Sequence, residues 1–247
     1  MKRILSMGLA LLMLLGAVCI PVLASEPDNP RTYDNEGYIR PGGKFRPYDA
    51  LTRAEMACLL YRMLDDEQKR DSFVGYDCKF TDVGIPQNSW YGLALMNLDL
   101  LGIVKGYEDG TFRPNQPVSR AEFVVLLSRV HELEAGEKSF PDVPKTHWAY
   151  DAIAAAGAAG WINGYEDGTF RPNESVKRIE AVKMINNMLG WSCDRDFVDN
   201  EKHLSGFEFE DLERGSWEYY EVMEASLSHN CIHENGKEIW TKAAVAA

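Results

Sequence analysis

Three arginines stand at equivalent places in the sequence, each directly before an apolar run with helical spacing: Arg53, Arg120 and Arg178. Arginine at the first position of a helix opposes the helix dipole, whose positive end lies at the N-terminus, so helix formation does not account for it. A guanidinium beside free backbone N–H groups can bind a carboxylate through two parallel hydrogen bonds. We therefore take the three arginines as candidate anion-binding residues. The alternative is that each pairs with a neighbouring acid, such as Asp109 or Asp167.

Capping residues flank these arginines and predict where the helices begin. Thr52 with Glu55, and Ser119 with Glu122, have the spacing of a capping box, in which a hydroxyl and a carboxylate each accept a backbone N–H. The third copy has Lys177 in place of the hydroxyl. We assign the capping residues to the fold. The apolar residues that follow lie at the spacing of one buried helix face: Met56, Leu59, Leu60 and Met63; Phe123, Leu126, Leu127 and Val130; Val182, Ile185, Met188 and Leu189.

A ten-residue loop precedes the second and third of these helices. Residues 106–115 and 164–173 are identical, Gly-Tyr-Glu-Asp-Gly-Thr-Phe-Arg-Pro-Asn, at a spacing of 58. A looser copy over 37–47 precedes the first helix and lacks the Asp-Gly pair. The Asp-Gly pair is a turn signal, because glycine adopts positive φ and aspartate hydrogen-bonds its own backbone. The loop lacks the alternating acids and distal glutamate of a calcium loop, so we expect no metal and no cofactor.

A third element leads to a tryptophan and then to another helix. It occurs at 80–83 before Trp90, at 140–143 before Trp148 and at 209–212 before Trp217. We call this element with its helix a front half, and a loop with its arginine helix a back half. The chain holds three of each, and it begins with a back half and ends with a front half, so the order is offset by half a repeat. Repeated units bury their apolar faces only against neighbours, so we predict that the C-terminal front half packs beside the N-terminal back half. The alternative is that 209–228 is an unrelated tail helix.

These elements, in this order, resemble the S-layer homology family, whose repeats combine an F-x-D-V…W-A-Y opening, a G-Y-x-D-G-T-F-x-P loop and a T-R-A-E helix start. The resemblance covers roughly residues 37–228. It implies an all-α, pseudo-threefold assembly of three repeats, closed by the C-terminal half repeat beside the N-terminal half repeat. The predicted units are an N-terminal half repeat at 25–66, full repeats at 67–134 and 135–192, and a linker, C-terminal half repeat and tail at 193–247.

The resemblance also implies a function in wall attachment. We expect a secreted protein at the cell wall that binds a secondary cell-wall polysaccharide, whose pyruvylated sugars carry the carboxylate. The expected ligand-binding residues are Arg53, Arg120, Arg178, Asp109, Asp167, Gly110, Gly168, Trp90 and Trp148. Because the first loop and the third helix start depart from the family pattern, we expect the site at Arg120 to be the most complete.

Other functions stay open from sequence alone. One is a protein–protein interaction or S-layer assembly module without glycan binding, including self-association at the cell surface. Another is an accessory to a wall hydrolase. The five histidines form no recognisable nucleophile or metal set, so we expect no enzyme.

The ends and the charge bound the class further. Residues 1–24 have the basic start, apolar run and small-residue end of a secretory signal, with a membrane anchor as the alternative. Its removal changes the formal net charge from −12 to −14, which repels nucleic acid and anionic membranes. No later apolar run is long enough to span a bilayer. A disulfide between Cys193 and Cys231 fits an oxidising compartment, but the spacing does not decide whether it forms.

Overall fold

The computed structural model of the protein describes residues 43–64, 68–201, 209–234 and 237–245. The predicted signal at 1–24 and the first Gly-Tyr pair lie outside these residues. The helical fold class is confirmed, and no described helix is long and apolar enough to cross a membrane. The helices are α1 Arg53–Arg62, α2 Gly92–Leu100, α3 Arg120–Val130, α4 Tyr150–Ala158, α5 Arg178–Leu189, α6 Arg195–Asn200 and α7 Trp217–Ser226; a short 3-10 turn spans Pro86–Asn88.

The three arginine helices begin where their caps predict. At α1, the Thr52 hydroxyl accepts from the Glu55 amide at 3.3 Å, and the Glu55 carboxylate accepts from the Thr52 amide at 2.9 Å. Ser119 and Glu122 repeat both bonds at α3. At α5 only the carboxylate half remains, because a lysine side chain has no acceptor. A cap of this kind stabilises a helix by about 1 kcal/mol.

Helices pack in pairs, α1 with α2, α3 with α4 and α5 with α7, around one continuous apolar core. Three short segments that precede the arginine helices meet in the centre. Leu51 N donates to Val176 O, Val118 N to Leu51 O, and Val176 N to Val118 O, each at 2.9 Å, and all three residues are fully buried. The bonds form a closed cycle, so each arginine helix starts from the same backbone hub.

The C-terminal front half contacts the N-terminal back half. Asp211 accepts from the Phe45 and Arg46 amides through its two carboxylate oxygens, both at 2.7 Å. Asp82 and Asp142 make the same pair of bonds to the loops at 106–115 and 164–173. The predicted contact between the C-terminal front half and the N-terminal back half is therefore present, and the description of 209–228 as an unrelated tail is wrong. Pseudo-threefold symmetry of the whole assembly stays a prediction.

A two-stranded antiparallel hairpin, β1 Leu227–Glu234 and β2 Lys237–Val245, follows α7 and adds strands to the otherwise helical fold. Trp240 docks it: its amide donates to Asp194 at 3.0 Å, and its buried ring stacks on His229 at 3.8 Å. Cys193 forms no disulfide with any cysteine whose side chain is described. The side chain of Cys231 lies outside the described part of the chain, as does any test of the disulfide.

Candidate functional site

Each helix arginine reaches the loop of the next back half rather than its own. Arg53 Nε donates to Phe112 O at 2.6 Å, Arg120 Nε to Phe170 O at 2.8 Å, and Arg178 Nε to Phe45 O at 2.8 Å. The first complete loop, 106–115, therefore belongs with Arg53. The incomplete first loop belongs with Arg178, since the cycle of three closes there.

These arginines are buried and face acids. Only 7%, 4% and 2% of Arg53, Arg120 and Arg178 is exposed. The acidic partners are the capping glutamates of the next helix, so the alternative that each arginine pairs with an acid such as Asp109 or Asp167 is wrong. The distances from Nη1 to the carboxylate oxygen are 3.9 Å for Arg53–Glu122, 3.1 Å for Arg120–Glu180 and 2.6 Å for Arg178–Glu55. Arg53 is thus the least engaged of the three.

The helix-end amides are not free, contrary to the expectation of an anion site built on them. Arg53 N donates to Gln116 O and Ala54 N to Pro114 O, both at 2.9 Å. The corresponding amides of α3 and α5 donate to the corresponding loop carbonyls, between 2.9 and 3.0 Å. Carbonyl groups of the next loop thus already accept the first two amides of each arginine helix, so these amides do not form an anion site.

Beside Arg53, the loop 106–115 presents a second arginine at its surface. The Arg113 guanidinium lies 3.8 Å from the centre of the Tyr107 ring, and the Arg53 guanidinium lies 4.9 Å from the same ring. Arg113 Nη2 donates to Asp109 Oδ2 at 2.8 Å. Hydrogen bonds from Thr111, and then from Arg113, lower the pKa of Asp109 to about 2. This exposed carboxylate therefore stays charged at any pH near neutrality.

The loop 164–173 repeats this arrangement beside Arg120. Arg171 lies 4.0 Å and Arg120 4.6 Å from the centre of the Tyr165 ring. Asp167 accepts from Arg171 at 2.9 Å, and hydrogen bonds from Thr169 and Arg171 lower its pKa to about 2. Burial, and then the hydrogen bond to Glu180, raises the pKa of Tyr165 to about 12. Two sites therefore share one geometry.

The remaining predicted residues have separate positions. Gly110 and Gly168 have φ of +79° and +80° and close the turn by donating to the Tyr107 and Tyr165 carbonyls, so their observed role is in the backbone. Trp90 and Trp148 precede α2 and α4 and are 39% and 64% exposed. Trp90 contacts Tyr91, whose ring stacks on Phe112 beneath the loop. Each tryptophan thus belongs to the front half whose aspartate holds the corresponding loop.

Comparison with known families agrees with this repeat structure. The model of the S-layer homology domain matches residues 79–124 and 139–182. The chain belongs to the S-layer homology family. Each match runs from a front half through its loop to the start of the next arginine helix, which is the order of elements found in the fold.

Relatives with these S-layer homology repeats include surface proteins and an enzyme. The chain is 32% identical over 214 residues to the cellulosome-anchoring protein of Acetivibrio thermocellus, which covers 83% of this chain and 44% of that protein. It is 30% identical over 224 residues to cell surface glycoprotein 1 of the same organism, covering 85% and 9%. It is 34% identical over 119 residues to an endoglucanase of a Bacillus species, covering 48% and 12%. The chain spans less than half the length of each.

The contacts define three composite candidate sites. Site 1 is Arg53, the loop 106–115 and Trp90; site 2 is Arg120, the loop 164–173 and Trp148; site 3 is Arg178, the segment 43–47 and Trp217. The expected ranking rested on pairing each arginine with the loop before it. With the observed pairing, sites 1 and 2 have the full loop and site 3 lacks the Asp-Gly pair.

Arg113, Arg171 and the two tyrosines beneath them are site residues that were not predicted from the sequence. The signal was available. The turn requires the Asp-Gly pair, but it does not require a tyrosine or an arginine at the other matched positions. Identity across all ten residues therefore exceeds what a turn demands.

Proposed function

We propose that this protein attaches non-covalently to the bacterial cell wall by binding a secondary cell-wall polysaccharide that carries pyruvyl carboxylates. The S-layer homology family and the cellulosome-anchoring relative support attachment at the cell surface. They also favour a secreted, non-catalytic module. The endoglucanase activity belongs to the Bacillus relative, of which this chain covers only 12%. The predicted signal at 1–24 agrees with export.

The observation that carries the proposal is the duplicated arrangement at sites 1 and 2. In each, two guanidinium groups lie over one tyrosine ring beside an exposed aspartate, and an exposed tryptophan stands on the adjoining front half. Guanidinium groups bind carboxylates. The exposed ion pair between the loop arginine and its aspartate contributes little stability. A ligand carboxylate can therefore bind the same guanidinium without a large loss of stability.

Sugar recognition follows from the same side chains. Asp109 and Asp167 are exposed, charged acceptors suited to sugar hydroxyls. Trp90 and Trp148 offer aromatic faces on which a pyranose ring can pack. Two weak sites on one body raise the apparent affinity for a repeating polymer by the effective concentration of the second site.

Sedimentation with cell walls tests the proposal. Protein should co-sediment with intact walls, lose binding after the polysaccharide is extracted, and lose most affinity for purified polymer whose ketals have been hydrolysed. Arg53→Gln should weaken binding more than Arg178→Gln, because site 3 lacks the full loop; circular dichroism melts show whether each buried variant folds. Undiminished binding to extracted walls would contradict the proposal.

A second candidate function, a protein–protein contact at the surface, is favoured by exposed apolar side chains around α2. Val74, Ile85 and Leu100 are 85%, 63% and 45% exposed. The same experiment separates the candidates, since a protein contact would survive removal of the polysaccharide. Sedimentation equilibrium of the purified chain tests self-association directly.

A further inference from the structure

Three arginines adopt a backbone conformation that disfavours them. Arg46, Arg113 and Arg171 have φ of +59°, +57° and +59°, and among the described residues they are the only non-glycines with positive φ. Each stands between the phenylalanine and proline of its loop copy. Glycine or asparagine adopts this left-handed conformation at lower cost. Strained positions that recur in this way point to function.

At Arg113 and Arg171 the loop closes through backbone hydrogen bonds. Arg113 N donates to Asp82 at 2.7 Å, and Arg113 O accepts from Gln116 N at 3.0 Å. Arg171 makes the same bonds to Asp142 and Glu174. Any residue could supply these groups, so loop closure does not explain the arginine.

The side chains are held rigidly yet remain at the surface. In site 1, Arg113 stacks on Tyr107, its Nε donates to Thr111 Oγ1 at 3.1 Å, and its Nη2 donates to Asp109. Even so, 42% of the Arg113 side chain is exposed, against 8% for Arg53. Within the described part of the chain, Nη1 of Arg113 has no hydrogen-bond partner and is available to a ligand.

One substitution distinguishes the two sites. Nη1 of Arg171 lies 3.9 Å from Glu174, whereas the matching residue in site 1 is Gln116, whose amide donates to the Tyr107 hydroxyl. Glu174 therefore opposes an anion beside Arg171, whereas Gln116 at the matching position of site 1 carries no charge.

We propose that the left-handed arginines Arg113 and Arg171 contact the acidic group of the glycan, with site 1 the tighter site. Arg53 and Arg120 lie over the same tyrosine rings and give each complete site a second guanidinium group. This assignment rests on the proposed function and names the residues that select an acidic ligand over a neutral one.

Asparagine variants separate binding from folding. Arg113→Asn keeps a residue suited to the left-handed conformation, so its melting temperature should equal or exceed that of wild type. Its affinity for purified polymer, measured by calorimetry, should fall about tenfold, the effect of one charge-assisted hydrogen bond. Arg171→Asn should lose less. The control is Arg70→Asn, which removes an exposed arginine from the connector that contacts α2 through Asn97, and should leave affinity unchanged.

Exchanging the distinguishing residues tests the assignment with both arginines present. Glu174→Gln should tighten binding to acidic polymer severalfold, and Gln116→Glu should weaken it; neither should alter binding to polymer with hydrolysed ketals. If wild type binds but the folded Arg113→Asn/Arg171→Asn protein binds within twofold of it, the assignment fails and the proposed function stands. A marked fall in the melting temperature of Arg113→Asn would also overturn it, by showing that the side chain serves the fold. Failure of wild type to bind would reject the proposed function itself.

Discussion

Ring closure through Asp211 makes the sharpest prediction for stability. This half-buried carboxylate joins parts of the chain that are 166 residues apart, by accepting the Phe45 amide, partly buried, and the Arg46 amide, exposed. Asp211→Ala leaves both donors without that acceptor. Hydrogen bonds to charged groups contribute about 1.5–3 kcal/mol when partly buried, and less when exposed. We expect a loss of about 3 kcal/mol in the free energy of unfolding.

Urea unfolding followed by circular dichroism measures this loss directly. For a domain of this size, about 3 kcal/mol corresponds to a fall of about 10 °C in melting temperature. The matched control is Glu213→Ala, which removes the same charge from an exposed side chain two residues away and should change stability by less than about 0.5 kcal/mol. Hydrogen exchange should also show faster exchange of the Phe45 amide in Asp211→Ala.

A melting temperature for Asp211→Ala within about 2 °C of the Glu213→Ala value, corresponding to less than about 1 kcal/mol, would refute this reasoning. It would mean that the contact between the two ends of the chain adds no stability. Asp82→Ala removes the equivalent pair of bonds between residues only about 30 apart. It then shows whether the bonds themselves contribute little stability, or only the contact between the two half repeats does. A loss there without a loss at Asp211 would place the error in the closure.

Three further predictions concern the loops and a buried thiol. Gly164→Ala should destabilise by about 2 kcal/mol or more, because a Cβ there would lie 2.8 Å from the ring of Phe140, whereas Gly168→Ala, with no described atom within 4 Å, should cost only about 1 kcal/mol of backbone strain; chemical denaturation compares them. The pKa of Asp109 is lowered in the folded state, so its pair with Arg113 should persist above pH 4 and be lost as pH falls toward 2, with an NMR carboxyl titration midpoint below 3 as the check. Burial raises the pKa of Cys58 to about 12, so the Cys58 thiol should not react with a disulfide reagent at pH 8 until the protein unfolds.

Local features of the fold could be predicted because they depend on neighbours in sequence. The Thr52–Glu55 and Ser119–Glu122 caps involve residues three apart, and the Asp-Gly turns need only glycine at positive φ. The apolar positions of α1, α3 and α5 form buried faces as their spacing predicted. The missing front half was found by counting elements, since a repeat leaves an apolar face to be covered.

The site was harder to predict because it forms between repeats. Sequence order places Arg120 directly after the loop 106–115, yet the structure places Arg53 against that loop. Burial of the arginines and pairing with the capping glutamates also depend on this packing. The hairpin was missed for a related reason: the burial of Trp240 depends on α6 and the Asp194 carboxylate, not on the strands' own pattern.

The left-handed arginine has a different kind of partner in site 3 than in sites 1 and 2. In site 3, the left-handed Arg46 has no Asp-Gly aspartate to pair with, and its Nη2 instead donates to Glu55 at 2.5 Å, the same carboxylate that pairs with Arg178. Two cations therefore share one buried acid beside the contact between the N-terminal back half and the C-terminal front half. In sites 1 and 2 the left-handed arginine pairs with its own loop and stays apart from the joint. Arg46 is thus tied to the joint between the two half repeats, whereas Arg113 and Arg171 pair with exposed acids, which suits the ligand contact proposed for them.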